Sequence, residues 1–313
     1  MLFLEFVENS FLTSIVRKSG KSIMRTSSIL RAITRDGSAL IVAADTAAVT
    51  QRACELHGLS KTMTAVLGRC LTAASLMGSG LKSENDTLTL QFKGDGPAGT
   101  VCCVSDSAGN VRGYADNPSA ELPPNQQGKL DVGGAIGQGM MYVLKDLGLS
   151  EPYCGVSEIV TGEIAEDVTA YFVKSEQTPS VCALGVLVNR DLSCRASGGF
   201  LIQLLPFPDE ATVTKIEENV GRIELVSALF DGEAPLEEIA ARVLDGIPLD
   251  ILDEAPIEYR CNCSRERYGQ ALASLGREEL ERLISGGEPV ETKCSFCNSA
   301  YVFEAAEIEG LIV

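Results

Sequence analysis

Four cysteines constrain this chain more than any other feature of it. Cys261 and Cys263 form a C-N-C run, and Cys294 and Cys297 close a C-S-F-C run, with 30 residues between the pairs. A C-x-x-C at a turn lets two sulfurs converge on one ion, and a second close pair completes the tetrahedral four-cysteine set that zinc takes in structural sites. The other seven cysteines (Cys54, Cys70, Cys102, Cys103, Cys154, Cys182 and Cys194) are scattered among apolar neighbours, where a free thiol packs as a small hydrophobe. A chain of 313 residues buries a core without help from disulfides. The reading is one Zn2+ ion on Cys261, Cys263, Cys294 and Cys297 of a soluble cytosolic protein.

A closed site of four cysteines can be purely structural, and the spacing alone leaves that open. Two features point toward a switch. A disulfide within the C-N-C pair would close a small strained ring, and strained disulfides are the labile, regulatory kind. The last ~55 residues also carry few large apolar side chains, which puts the unit near the size where a metal is needed for folding. Structural zinc contributes about 10–16 kcal/mol in small peptides, as much as the whole stability of many domains. Zinc-bound sulfurs are thiolates, the form that oxidants attack. Oxidation is therefore expected to eject the metal and unfold the unit.

Upstream, the pattern is α+β. Asp45 or Thr46 can cap a helix to His57 that Gly58 terminates, and Ser60 can cap a second with Met63, Val66, Leu67, Cys70, Leu71 and Ala74 on one stripe. Period-two alternation at Leu88, Leu90 and Phe92 reads as a strand, and strand-like runs follow at 100–105, 110–115 and 139–145. Thr161 can cap a helix carrying Ile164, Val168, Tyr171 and Phe172, and 181–189 and 199–205 read as buried strands. Helices and strands without β-α-β alternation predict an α+β core domain over 24–206. Pro206 and Pro208 mark its end. From 208 to 260 there are 14 acidic residues against 4 basic ones. Two amphipathic helices in this stretch, one through Val213, Ile216, Val220 and Ile223 and one from Pro235, predict a helical acidic linker over 207–257. Such short helices need a surface to lie on, which they hide while docked. The zinc unit occupies 258–313, with a helix capped by Ser264, a second over Arg277–Ile284, and a hairpin over 289–303 that carries Cys294 and Cys297 at its turn.

Charge and motif content exclude several functions. A net charge of −17 repels phosphate backbones and anionic lipid, so neither nucleic acid nor membrane is an expected partner. This argues against a zinc-ribbon nucleic-acid module. A thiol-disulfide oxidoreductase would place its C-x-x-C at a helix N-terminus in a thioredoxin-like setting, which this region lacks. Gly134-Ala-Ile-Gly137-Gln-Gly139 has neither the strand-to-helix setting nor the lysine of a phosphate loop. His57, the only histidine, has no orienting partner in the sequence, and no nucleophile motif appears. The chain is read as a binding protein rather than an enzyme. Residues 1–23 lack a basic n-region and a cleavage site, and are expected to be an extension ahead of a start near Met24.

The runs Cys261-Asn-Cys263-Ser-Arg-Glu-Arg267 and Cys294-Ser-Phe-Cys297-Asn resemble the zinc motifs of the 33-kilodalton heat-shock-protein family of redox-regulated chaperones. The resemblance extends through Val111-Arg-Gly-Tyr114, Gly162-Glu-Ile-Ala-Glu-Asp167, Ser175-Glu-Gln-Thr-Pro-Ser180 and Gly198-Gly-Phe-Leu-Ile-Gln-Leu-Leu-Pro206, so it covers about Met24 to Val313. It implies an inactive, zinc-bound monomer in the bacterial cytoplasm. Oxidation would pair Cys261 with Cys263 and Cys294 with Cys297, release zinc and unfold the C-terminal unit and linker. The protein would then form a homodimer, hold unfolding client proteins without ATP, and pass them to ATP-driven refolding chaperones.

Overall fold

The computed structural model describes residues 26–311; the expected extension over 1–23 and the start near Met24 lie outside the described residues. The first helical pair is punctuated as its sequence requires. α1 (Ala47–His57) stops at Gly58, whose left-handed backbone (φ 61°) resists a side chain, and α2 (Lys61–Gly78) starts at Ser60, whose hydroxyl accepts the Met63 amide. Of the two candidate caps for α1, Asp45 accepts the Ala47 amide, whereas the Thr46 hydroxyl turns inward to Thr72 and Ser197.

Two antiparallel five-stranded sheets enclose α2. The first joins β1 (Ser27–Thr34), β2 (Ala39–Asp45), β8 (Ser180–Val188), β9 (Cys194–Leu204) and β10 (Leu249–Ile257) in the order β10-β1-β2-β9-β8. The second joins β3 (Thr87–Gly94), β4 (Thr100–Asp106), β5 (Val111–Ala115), β6 (Gly139–Asp146) and β7 (Tyr153–Glu158) in the order β5-β4-β3-β6-β7. α2 packs on β3, β4 and β5 on one side and on β2, β8 and β9 on the other. Its burial therefore goes beyond the single stripe expected: Thr62, Thr72, Ala73 and Leu76 are as buried as Met63 and Leu67. The architecture is α+β, as the sequence predicts.

α3 (Val132–Ile136) and Gly137 lead directly into β6, and a Cβ on Gly94 would collide with the Ile136 carbonyl oxygen, so the glycines here allow close backbone approach. α4 (Ala165–Lys174) is not capped by Thr161. The fully buried Asp167 carboxylate instead accepts the amides of Val160, Thr161, Gly162 and Ile164, which holds Ile164 at φ 73°. Four amide donors satisfy a buried charge that would otherwise be costly.

The acidic stretch covers the outer face of the first sheet. α5 (Glu210–Gly221), α6 (Val226–Leu229) and α7 (Leu236–Val243) place Ile216, Phe230, Leu236, Ile239, Ala240 and Val243 against Leu30, Ile41, Ala43, Phe200 and Ile202. The stretch is not helical to its end. Residues 249–257, expected within a helical linker, form β10 and pair with β1 from Ser27↔Ile257 to Thr34↔Leu249. β10 is an edge strand rich in charge and carrying Pro256, a composition suited to edges and easily mistaken for a linker. The C-terminal unit follows with α8 (Arg265–Ala273), α9 (Arg277–Ile284), the hairpin β11 (Val290–Lys293) and β12 (Ala300–Phe303), and α10 (Ala305–Glu309). No helix among the described residues is long and apolar enough to cross a membrane.

Candidate metal centre

Local structure aims the four sulfurs at one point. Cys261 and Cys263 lie on the extended segment before α8, whose N-cap Ser264 accepts the Arg267 amide. Cys294 and Cys297 lie on the turn after β11. The Cys294 amide donates to Ser299 O and the Asn298 amide to Cys294 O, and Asn298 takes the left-handed conformation (φ 60°) that asparagine tolerates. The Sγ atoms of Cys261 and Cys294 are 3.7 Å apart, those of Cys263 and Cys297 are 3.3 Å apart, and all four lie within 4.8 Å of one another. Four sulfurs around one zinc at bonds of ~2.3 Å would stand about 3.8 Å apart, so the donor set fits a tetrahedral ion. A set of four soft thiols selects zinc or iron–sulfur chemistry over hard cations. Cys294 is buried and the other three are half-buried, so the sulfurs are within reach of small solutes.

The environment separates the thiols. Against the cost of its burial, hydrogen bonding with the Ser299 side chain and backbone pulls Cys297 down to about 7, whereas burial pushes Cys261 and Cys263 up. Tyr301 Oη stands 3.1 Å from Cys263 Sγ, and its ring lies 5.1 Å from that of Tyr268. Among the seven other cysteines, Cys70, Cys102, Cys103 and Cys182 are buried as expected, and burial raises Cys102 to about 11 and Cys182 to about 12. Cys154 departs from that expectation. It is exposed on β7.

The metal turn is docked on the core domain through residues that no local pattern marks. The Tyr259 hydroxyl lies 2.8 Å from the Gly113 carbonyl, meets the Phe296 carbonyl, and accepts the Gly113 amide at 3.2 Å. His57 Nε2 is 3.3 Å from the same hydroxyl, which gives the lone histidine a structural partner. The Val111 amide donates to Glu258 O and the Arg260 amide to Val111 O, extending β5 by a short parallel bridge. Phe296, between the two cysteines of the turn, sits edge-on to Tyr114 at 5.2 Å and 5.1 Å from the Arg112 guanidinium; Asn298 donates to Leu56 O at the end of α1.

An edge-to-face aromatic pair and a half-exposed cation–π contact together contribute about 1–2.5 kcal/mol. Phe296→Ala is therefore expected to raise the undocked fraction of the turn roughly tenfold while leaving the four sulfurs and the bound metal in place. Amide exchange at Val111 and Arg260 reads this directly, and unchanged rates would mean the ring is not part of the latch.

The geometry has close relatives. The family model described as Hsp33 protein matches residues 27–304. The 33 kDa chaperonin of Lachnoclostridium phytofermentans is 43% identical over 284 residues, covering 91% of this chain and 97% of that protein. The 33 kDa chaperonin of Agathobacter rectalis is 44% identical over 283 residues, covering 90% and 98%. The crystal structure of the 33 kDa chaperonin of Thermotoga maritima superposes with a TM-score of 0.84 at 38% identity, covering 92% of this chain and 98% of that one. On a match this long and this similar, the chain belongs to the Hsp33 family.

Proposed function

We propose that the protein is a cytoplasmic, ATP-independent holding chaperone that thiol oxidation turns on. One observation carries the reading: the four clustered sulfurs terminate the segment 249–260 that pairs with the edges of both sheets. The names of the relatives support a chaperone, and the all-sulfur donor set supports zinc on Cys261, Cys263, Cys294 and Cys297. Zinc, when bound, keeps the sulfurs as thiolates and ties the tail together. Two two-electron oxidations by a peroxide follow, one per pair. Each joins two thiolates, Cys261 with Cys263 and Cys294 with Cys297, as a disulfide while the peroxide is reduced to two hydroxides. With its donors gone the tail loosens, Tyr259 and Phe296 leave β5, and the helices over the first sheet lose their downstream anchor. The apolar face beneath them then binds unfolding proteins, the oxidised chain pairs with a second copy, and clients pass on to ATP-driven refolding chaperones. No substrate is turned over in this scheme.

The test is to follow zinc release with a chromogenic chelator during treatment with hydrogen peroxide and mild heat, alongside circular dichroism and light scattering from a thermally unfolding client. Zinc loss, loss of helix and suppressed scattering are expected to develop together. A fully oxidised, zinc-free protein that left the client to aggregate as fast as buffer does would sink the proposal.

A further inference from the structure

β10 is held to the first sheet almost entirely by its backbone. Of its nine residues only Ile257 is buried, while Ile251 and Leu252 are 40% and 55% exposed. Its apolar side-chain anchors are confined to its two ends, Leu249 and Ile257, and its polar ones are the ion pairs Arg31–Asp253 and Arg35–Asp250 and the Ser28–Glu254 hydrogen bond, all at the surface. Exposed pairs of this kind contribute little. The partner strand is built differently: Ile29, Leu30 and Ala32 of β1 are buried, on both faces of the sheet, in two cores to which β10 adds only Ile257 and the partly buried Leu249. A bulge between Arg31 and Ala32 weakens the β1–β10 ladder further. β10 also runs without a break into residues 258–260 and then into the first cysteine pair. If the tail lets go, β10 can peel away while β1 stays, leaving eight residues of edge backbone unpaired.

We propose that this edge of β1, Ser27 to Thr34, is a docking site where an extended segment of an unfolding polypeptide adds as an antiparallel strand, and that β10 occupies it as an internal substitute. The proposal rests on the holding function above and adds a second surface to the apolar face already named for it. The partner chemistry follows from what β10 presents. Main-chain groups supply most of the recognition, so the site reads extended backbone rather than a particular apolar side chain. Arg31 and Arg35 favour segments with carboxylates three residues apart, as Asp250 and Asp253 are. Backbone recognition of this kind suits a protein that must accept many unrelated sequences.

The probe is a labelled peptide of residues 249–257, offered to the full chain in its reduced zinc-bound form and after oxidation and zinc removal. Binding is expected to be at least tenfold tighter to the oxidised form. The same peptide with alternate backbone amides methylated, which keeps every side chain, is expected to lose at least tenfold. Arg31→Glu in the chain should weaken the parent peptide about fivefold, and Asp253→Lys in the peptide should restore it. Equal binding of methylated and parent peptides, or failure of the charge swap to restore affinity, overturns the edge site even if clients are still held. An oxidised chain that bound the peptide by these criteria but held no client would keep the edge site and overturn the holding function instead.

Discussion

Cys263→Ser is expected to empty the metal site and unfold residues 258–311 without any oxidant, leaving a chain that suppresses client aggregation while fully reduced. The argument is one of magnitudes. The tail's apolar core beside the metal site is small: Leu272, Leu280, Phe303 and Ile308 are its buried side chains outside the cysteines. Four such side chains contribute about 6–12 kcal/mol on burial. The metal's contribution of about 10–16 kcal/mol in comparable peptides is as large as that whole core. Removing one of four sulfurs takes away the closed donor set, so the unit loses roughly half of what opposes its disorder. Serine is nearly the size of cysteine, so the loss is one of ligation and not of packing. Two readings check the outcome: zinc per chain after dialysis, and amide protection in α8 and α9 against that in α2 and the second sheet. Protection should vanish from the tail and persist in the core. A variant that bound no zinc yet kept α8 and α9 protected would show that the tail folds without its metal, and the switch would have no output.

What the sequence made legible was whatever its chemistry encodes locally. The four cysteines, the Ser60 and Ser264 caps, the Gly58 stop and the helix over Arg277–Ile284 can each be read from a few neighbouring residues, and each is where the sequence places it. Four strands escaped, β1, β2, β7 and β10, the last two because little in their side-chain pattern marks a strand. In β7 the buried residues are Gly155 and Ser157, and Gly155 is glycine because a Cβ there would meet the Tyr171 ring at 2.7 Å. In β10 the pairing is made by backbone, so its acidic side chains advertise a solvated linker. The docking of the metal turn was invisible for a different reason. Tyr259 and Gly113 are 146 residues apart, and Asn298 and Leu56 are 242 apart, so no window of sequence contains both partners. Asp167 belongs to the same class: its value as a cap for four amides appears only once the backbone of 160–164 has turned back over it.

Ile239→Asp separates the two halves of the mechanism, because it should open the apolar face while leaving the metal untouched. Ile239 lies on α7 at 2% exposure, packed with Leu236, Ala240 and Val243 over β1 and β2. An eight-residue helix is unstable on its own, so α7 exists because this stripe is buried. The substitution removes about 1.5–3 kcal/mol of apolar burial. It also puts a carboxylate into a cluster of buried apolar side chains, a penalty of several kcal/mol more. A helix of two turns has no comparable reserve, so α7 leaves the face and exposes Leu30, Ile41, Ala43 and their neighbours to solvent. Binding of an apolar dye and suppression of client aggregation are then expected in the reduced chain with a full complement of zinc. Cys261, Cys263, Cys294 and Cys297 are set apart from α7, so their metal content serves as the internal control, and amide protection in α2 reports whether the core has survived. If the dye binds and the client is not held, the surface under α7 is merely uncovered apolar area, and client recognition belongs elsewhere, with the vacated edge of β1 the first place to look. If the client is held with zinc still in place, the metal acts only as a clamp, and the protein's affinity for unfolded chains resides in the surface that the acidic stretch conceals.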